Sequence, residues 1–451
     1  RTTVARISKI VQGLVEHLDV GNATADGSHQ RPMAAHTKFA DIGLDSLAAA
    51  EFAEALRQEF HIPFTATVLF DHPTLVDLAE HIDNVTGLSS HQSQLSEMSF
   101  SYGAIRPLDD SRIQSIAIIA TTYRFPGGPG DGGGYANPTS RWVAGKEIQS
   151  LVPSARWDVD AHYAPNQTQE LMYVRIGGWL DHVDIFDPTP FGLSRDEATA
   201  MDPQLRLLLE LTHELVRGVP NISDASNTTS NFVGCMYQEY LDGVLRVGGM
   251  ADTVPSAITS TGMSFLVGRL SYHNNFRGLA VSCDTACSSS LVGVHLARKA
   301  LLSSKHSGEQ ALAHGVNMML SARTTSRICM LQALSPVGRC KTADISADGY
   351  GRSESGMSML LGATVGSDVD DGSMLAVLLG SGAGHNGTTG GISAPHGPSQ
   401  ARLITDVWRE SGARGKVTSL HGTGTSLGDP IEFQALQSIW NRRSQAPADD
   451  Q

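Results

Sequence analysis

Apolar residues along the first ninety positions recur at helical spacing. Val4, Ile7, Val11, Leu14 and Leu18 form one stripe of a helix over residues 1–20. A second helix is expected over Leu47 to Phe60, capped by Asp45 and stopped by Pro63. Thr65 to Phe70 can make a short third turn. Asp71-His72-Pro73-Thr74 opens a last helix with Leu75, Leu78, Ala79 and Ile82 on one face. Four short helices in this span predict a small all-α bundle. Residues 87–114 are polar and Ser/Gln-rich with no period, which reads as a flexible linker. The pattern then changes. Ile116 to Ala120 and Asn231 to Cys235 are strand candidates, and Met201 to Glu210 reads as a helix started by Pro203. A short β-type run, Val281 to Cys283, leads through small residues into an apolar helix, Leu291 to Leu302. A second β-type run, Lys416 to Leu420, feeds His421. Strands alternating with helices predict an α/β core for this larger part.

Composition narrows the class. The 451 residues are 41% hydrophobic and 18% charged, enough for two or three globular domains. A net charge of −13 argues against nucleic acid or an anionic membrane as the main partner. There is no apolar run long enough to span a bilayer. Five cysteines without metal-type spacing suggest a reducing compartment, no disulfide framework and no metal site. Asn-x-Ser/Thr triplets such as Asn22-Ala23-Thr24 are read as chance without a signal peptide. The chain starts at Arg1, and is expected to be part of something longer.

Three positions attract chemistry, each with a plain alternative. Cys287 sits where a strand, a tight turn and a helix meet, and a helix N-terminus stabilises a thiolate. A buried structural cysteine is the competing reading. Ser46 stands at the start of the second helix, where a phosphate ester would meet free N–H groups, or it is an ordinary helix cap. His421 opens His421-Gly422-Thr423-Gly424-Thr425, whose glycines allow a ligand to come close. Alone, a histidine at a strand end is more often structural. The glycine-rich run from Gly127 to Gly134 lacks the Gly-Lys-Ser/Thr of a phosphate loop and reads as a surface loop.

Leu44-Asp45-Ser46-Leu47, with Val68-Leu69-Phe70-Asp71-His72-Pro73-Thr74, resembles the acyl carrier protein domains of polyketide synthases. The resemblance implies that Ser46 bears a covalent 4′-phosphopantetheine. Asp284-Thr285-Ala286-Cys287-Ser288-Ser289, Asp348-Gly349-Tyr350-Gly351-Arg352-Ser353-Glu354, Gly391 to Gly397 and the run from His421 to Glu432 resemble the β-ketoacyl synthases of type I modular polyketide synthases. That resemblance implies a thiolase-like α/β fold, a five-layer αβαβα stack, behind a four-helix-bundle carrier. It implies Cys287 as the acylated nucleophile, its N–H in an oxyanion hole, and His421 as the group that stabilises the enolate. The expected domains are a carrier at 1–88, a linker at 89–113 and a synthase at 114–451, with its C-terminal half starting near 373.

The implied activity is a decarboxylative Claisen condensation of the 3-oxoacyl-[acyl-carrier-protein] synthase type. Its partners would be acyl and malonyl thioesters on carriers, a phosphopantetheinyl transferase and an acyltransferase supplied elsewhere. The synthase would homodimerise, in the cytoplasm or, alternatively, a plastid. Cys283 is expected to pack rather than react, and Asp348 and Glu354 to be structural. His314, where the family usually has glycine, is read as a local variation. The family's second histidine, in a Lys-x-x-x-Gly-His segment, is not reached before Gln451, so a domain truncated at its C-terminus is expected, with condensation the step open to loss. The alternatives are a fatty-acid or polyunsaturated-fatty-acid synthase segment, or a non-condensing acyl-binding or docking fragment.

Overall fold

The computed structural model describes residues 2–19, 36, 38–39, 48–64, 67–86, 115–127, 147–166, 171–219, 228–240, 257–303, 310–364, 374–391, 393–412 and 417–444. Ser46, the 89–113 segment and the glycine run beyond Gly127 lie outside these residues.

The N-terminal part is helical: α1 (Thr2–Asp19), α2 (Ala48–Phe60), α3 (Val68–Asp71) and α4 (Leu75–Thr86). It has its own core. Ile7 and Val11 of α1, Phe52 and Leu56 of α2, and Leu75, Leu78 and Ile82 of α4 are all buried together. Phe39 joins them, its ring 5.3 Å from that of Phe52. The helical stripes read from the sequence are therefore the surfaces that meet. Thr74 holds the start of α4 by accepting from Asp77 N at 3.2 Å.

The larger part is built on a six-stranded sheet: β1 (Ser115–Arg124), β4 (Ser230–Gly234), β5 (Ala280–Cys283), β6 (Gln310–Asn317), β7 (Ser355–Thr364) and β8 (Ala376–Leu378). The order is β5-β4-β6-β7-β1-β8. β4 runs parallel to β5 and β6, and the remaining neighbours are antiparallel. A separate antiparallel pair joins β2 (Gln149–Leu151) and β3 (Ile176–Gly178). The helices are α5 (Arg195–Ala200), α6 (Pro203–Gly218), α7 (Ala257–Thr261), α8 (Met263–His273), α9 (Ser289–Ser303), α10 (Ala322–Met330), α11 (Gly397–Ser411) and α12 (Gly428–Ser444).

Alternation along β6 sorts its side chains between two layers. Ala311 and Ala313 pack with Ala297 and Leu301 of α9. Leu312 packs with Leu215 of α6, and Val316 joins Leu208 of α6 and Leu270 of α8. The sheet is thus covered on both faces, which the near-continuous burial of β4 requires.

One expectation changes on inspection. Lys416 to Leu420 was expected to be a strand, yet residues 417–420 form no ladder and Val417 is exposed. No described strand lies beside the run to accept its hydrogen bonds, and β-type composition alone cannot make a sheet. Glu354, expected to be structural, is a buried hub. Its carboxylate accepts from Arg156 Nε at 3.0 Å and Nη2 at 2.8 Å, from Leu180 N at 2.8 Å and from Met319 N at 3.0 Å. The Glu354 side chain is 0% and that of Arg156 7% exposed, so neither charge can fall back on water. Replacing Glu354 by alanine is expected to strand the guanidinium and cost about 3–5 kcal/mol. Urea unfolding followed by circular dichroism measures it, and an unshifted midpoint would contradict the hub.

Candidate active site

β5 ends at Cys283 and α9 begins at Ser289, so the chain must reverse within five residues. Ala286 makes the reversal with φ +55°, a left-handed conformation that alanine rarely adopts. Local hydrogen bonds hold it there. Asp284 Oδ1 accepts from Ala286 N at 3.0 Å. Ser289 Oγ accepts from Thr285 N at 2.8 Å and donates to Ala286 O at 2.7 Å. Cys287 follows on the exposed side of this turn, beside the N-terminus of α9.

Two glycines let α9 approach. A Cβ on Gly234, the last residue of β4, would lie 2.4 Å from Ser289 C and Ser290 N. One on Gly315 of β6 would lie 2.7 Å from Ser290 Cβ. No larger residue fits either place, so the helix start is seated directly on the sheet.

Cys287 opens on a cavity of about 480 Å³. Val294, Met357 and Met359 supply apolar lining, while Tyr237, Tyr350 and Arg352 supply polar lining. Burial, then the neighbouring Cys287 and Tyr237, pushes the Tyr350 phenol up to about 12. Burial likewise raises Tyr237. Both phenols therefore keep their protons at neutral pH and can donate hydrogen bonds. Arg352 stacks over Tyr237 with its Cζ 5.5 Å from the ring centre, and donates through Nη1 to Thr325 Oγ1 at 2.6 Å.

His421 is exposed and is not among the residues lining that cavity. Its loop is nonetheless fixed. Glu432 of α12 accepts from His421 N at 2.7 Å and from Gly422 N at 2.9 Å. Asp429 accepts from Gly424 N at 3.1 Å and from Ala343 N at 2.9 Å. Gly422 and Gly424 take φ +54° and +71°, and a Cβ on Gly424 would lie 2.5 Å from Lys341 N. Gly349 N donates to Gly424 O at 3.0 Å, and Thr342 Oγ1 donates to Gly422 O. Residues 340–350 thus tie the His421 loop to Tyr350, which lines the Cys287 cavity. The structure joins the two motifs through this loop rather than by direct contact.

The remaining positions are plainly placed. The Cys283 thiol faces Ser289 O at 3.3 Å, and burial raises its pKa, which keeps it protonated. His314 lies on the opposite face of β6 from Ala313 and Gly315. It shares a 2.7 Å hydrogen bond with Ser358, and burial lowers it to about 3, so it stays neutral. Asp348 pairs with Lys341 at 2.5 Å, which holds its carboxyl below the usual range. Ser46 lies outside the described residues, two positions before α2 begins.

The sequence matches the family described as "Beta-ketoacyl synthase, N-terminal domain" over residues 114–365. The chain belongs to the β-ketoacyl synthase family. Residues 375–449 of the synthase match "Beta-ketoacyl synthase, C-terminal domain", and residues 27–82 match "Phosphopantetheine attachment site". Polyketide synthase GfsA from Streptomyces halstedii is 36% identical over 96% of this chain and 6% of its own length. Pikromycin polyketide synthase component PikAII from Streptomyces venezuelae is 37% identical over 92% of this chain and 11% of its own. The synthase therefore spans about a tenth or less of the length of these relatives. Among solved structures, the ketosynthase from module 6 of the bacillaene synthase of Bacillus subtilis 168 superposes with a TM-score of 0.60 at 29% identity. The match covers 74% of this chain and 55% of that one. The oxazolomycin ketosynthase domain OzmH KS7 of Streptomyces albus JA3453 gives 0.62 at 29%, over 73% and 56% of the two chains. The synthase accordingly has the thiolase-like α/β fold, with a phosphopantetheine attachment domain ahead of it.

The roles of Asp429 and Glu432 were not read from the sequence, although both lie in the Gly428 to Glu432 run. A carboxylate in the first turn of a helix and a second three residues on, directly after a glycine-rich loop, are the signal that points to acceptors for loop N–H groups. Asp429 is 4% exposed, so Asp429→Ala strands two N–H groups at about 1–3 kcal/mol each. Chemical denaturation is expected to rank wild type above Asp429→Asn, which keeps one acceptor, and that above Asp429→Ala. An alanine variant as stable as wild type would show that the loop needs no such clamp.

Proposed function

We propose that residues 114–451 are the condensing domain of a modular polyketide synthase segment, with a carrier domain at 1–88 and a linker at 89–113. The reaction is of the 3-oxoacyl-[acyl-carrier-protein] synthase type. The observation that carries this reading is Cys287, exposed on a left-handed turn at the start of α9 and opening on a largely apolar cavity of about 480 Å³. The Cys287 thiolate attacks the carbonyl of an acyl thioester, the N–H of Cys287 takes the oxyanion, and the departing thiol recovers a proton. The acyl chain then rests among Val294, Met357 and Met359. A malonyl thioester loses CO₂, and its enolate carbon attacks the acyl-Cys287 carbonyl, which releases the cysteine and leaves a β-ketoacyl thioester. His421 donates a hydrogen bond to the thioester oxygen as the enolate charge develops.

Ser46 precedes the N-terminus of α2, a position that suits a phosphate ester. 4′-Phosphopantetheine supplies there a flexible thiol for carrying acyl groups, added by a phosphopantetheinyl transferase. Loading of extender units falls to an acyltransferase outside these residues. The compartment is the cytoplasm, which accords with five free cysteines. A homodimer also belongs to this reading. β5 is an edge strand, and Leu279, Val281 and Leu291 around it are exposed. Val281→Glu is expected to turn a dimer into a monomer in sedimentation at micromolar concentration, and an unchanged dimer would move the interface elsewhere.

Intact mass spectrometry tests the chemistry. Wild type incubated with an acyl thioester gains one acyl mass and Cys287→Ala gains none. Coenzyme A with a phosphopantetheinyl transferase adds one pantetheine mass, which Ser46→Ala abolishes. Equal acylation of wild type and Cys287→Ala would sink the nucleophile and favour a docking role.

A further inference from the structure

The helical bundle is seated on the synthase. α11 is a fifteen-residue helix whose N-cap residue, His396, gives it no side-chain cap. Asp71, at the end of α3, lies beside that helix start, its Oδ1 buried without a hydrogen-bond partner. An ideal Cβ on buried Gly397, the first residue of α11, would lie 3.4 Å from Asp71 Oδ1. His396 Nε2 lies 3.4 Å from Asp71 O, with its Nδ1 2.8 Å from Ser399 Oγ. Beside this contact, Thr67 donates to Gln434 Oε1 of α12 at 3.0 Å, and Thr67 is buried. A carboxylate at a helix N-terminus is favourable because it meets unpaired N–H groups and the positive end of the dipole.

Shape agrees with this seat. α11 lines the seam with Arg402, Asp406 and Arg409, and Arg409 pairs with Asp406 at 2.9 Å. The seam encloses about 700 Å³ and shares no lining residue with the Cys287 cavity. The docked bundle therefore forms no part of the catalytic pocket.

We propose that the face of α11 and α12 turned to the bundle is a resting dock for this chain's own carrier bundle, with Asp71 set beside the uncapped start of α11 and Thr67 pinning α12. The carrier leaves this dock to deliver its thioester and returns between deliveries. The proposal rests on the carrier reading of residues 1–88.

Hydrogen exchange on the full chain tests it, with small-angle scattering as the second readout. Gln434→Ala lies on α12, outside the bundle, and Asp71→Asn keeps the side-chain shape while removing the charge. Each is expected to weaken docking roughly fivefold, the worth of one hydrogen bond. Amides around residues 397–402 and 67–75 then exchange faster, and the radius of gyration rises. Amides in the centre of α2 keep wild-type rates, which separates undocking from unfolding of the bundle. Unchanged exchange and scattering in both variants would overturn the dock. Ser46 pantetheinylation is measured on the same samples. If it fails while exchange still responds, the contact stands and the carrier reading falls.

Discussion

The first turn of α9 lies closer to the sheet than any side chain larger than hydrogen permits. Gly234 and Gly315, at the ends of two adjacent strands, leave the room. Everything at the candidate nucleophile follows from this seat. Because the helix start cannot lift, the link from β5 has five residues in which to turn, and Ala286 must take a left-handed conformation. A left-handed alanine costs about 1–3 kcal/mol in isolation. Here the bonds from Asp284 and Ser289 hold it, and the cysteine that follows is presented to the cavity rather than packed under the helix. The same seat explains why Cys283 is inert. Four residues earlier it lies beneath the helix start, facing Ser289 O and Val233 O.

Buried carboxylates do for the loops what the glycines do for the helix. Glu354 gathers Arg156 and the N–H groups of Leu180 and Met319. Glu239 accepts from Leu320 N and Ser321 N, both at 2.7 Å. Asp429 and Glu432 hold the His421 loop. Each carboxyl acceptor replaces the strand or helix partners that irregular backbone lacks. Loops that carry chemistry can then be both irregular and fixed.

The legible part of the fold was the part governed by periodicity. The stripes of α1 and α4, the Pro-started α6 and the β5–α9 turn were readable because each rests on local spacing and a local stop signal. The 417–420 run was misread because a strand exists only with a neighbour, and neighbours are not local. Cys287 was readable for the same reason that β5–α9 was: strand, small residues and helix adjoin in sequence. The hub role of Glu354 was not, since its partners lie 35, 174 and 198 residues away. The contact of Asp71 with the start of α11 was hidden more deeply still, for its backbone oxygen meets His396 across 325 residues.

The relation of Cys287 to His421 follows from the same division between local and distant signals. Each sits in a motif that is locally complete, and no direct bond joins them. What connects them is the 340–350 loop, which meets the His421 loop at Gly349 and Thr342 and the Cys287 cavity at Tyr350. A site built this way separates two demands. The turn at Cys287 must be rigid to hold a strained residue, and it draws that rigidity from the sheet. In the proposed reaction the His421 loop lets a second thioester approach an exposed imidazole, and it draws its order from two carboxylates on α12. Because different elements supply the two kinds of order, a change in the Asp429 and Glu432 clamp can alter the imidazole's position while the cysteine turn stays intact. The acylation and carbon–carbon bond-forming halves of the proposed reaction are therefore structurally separable in this chain.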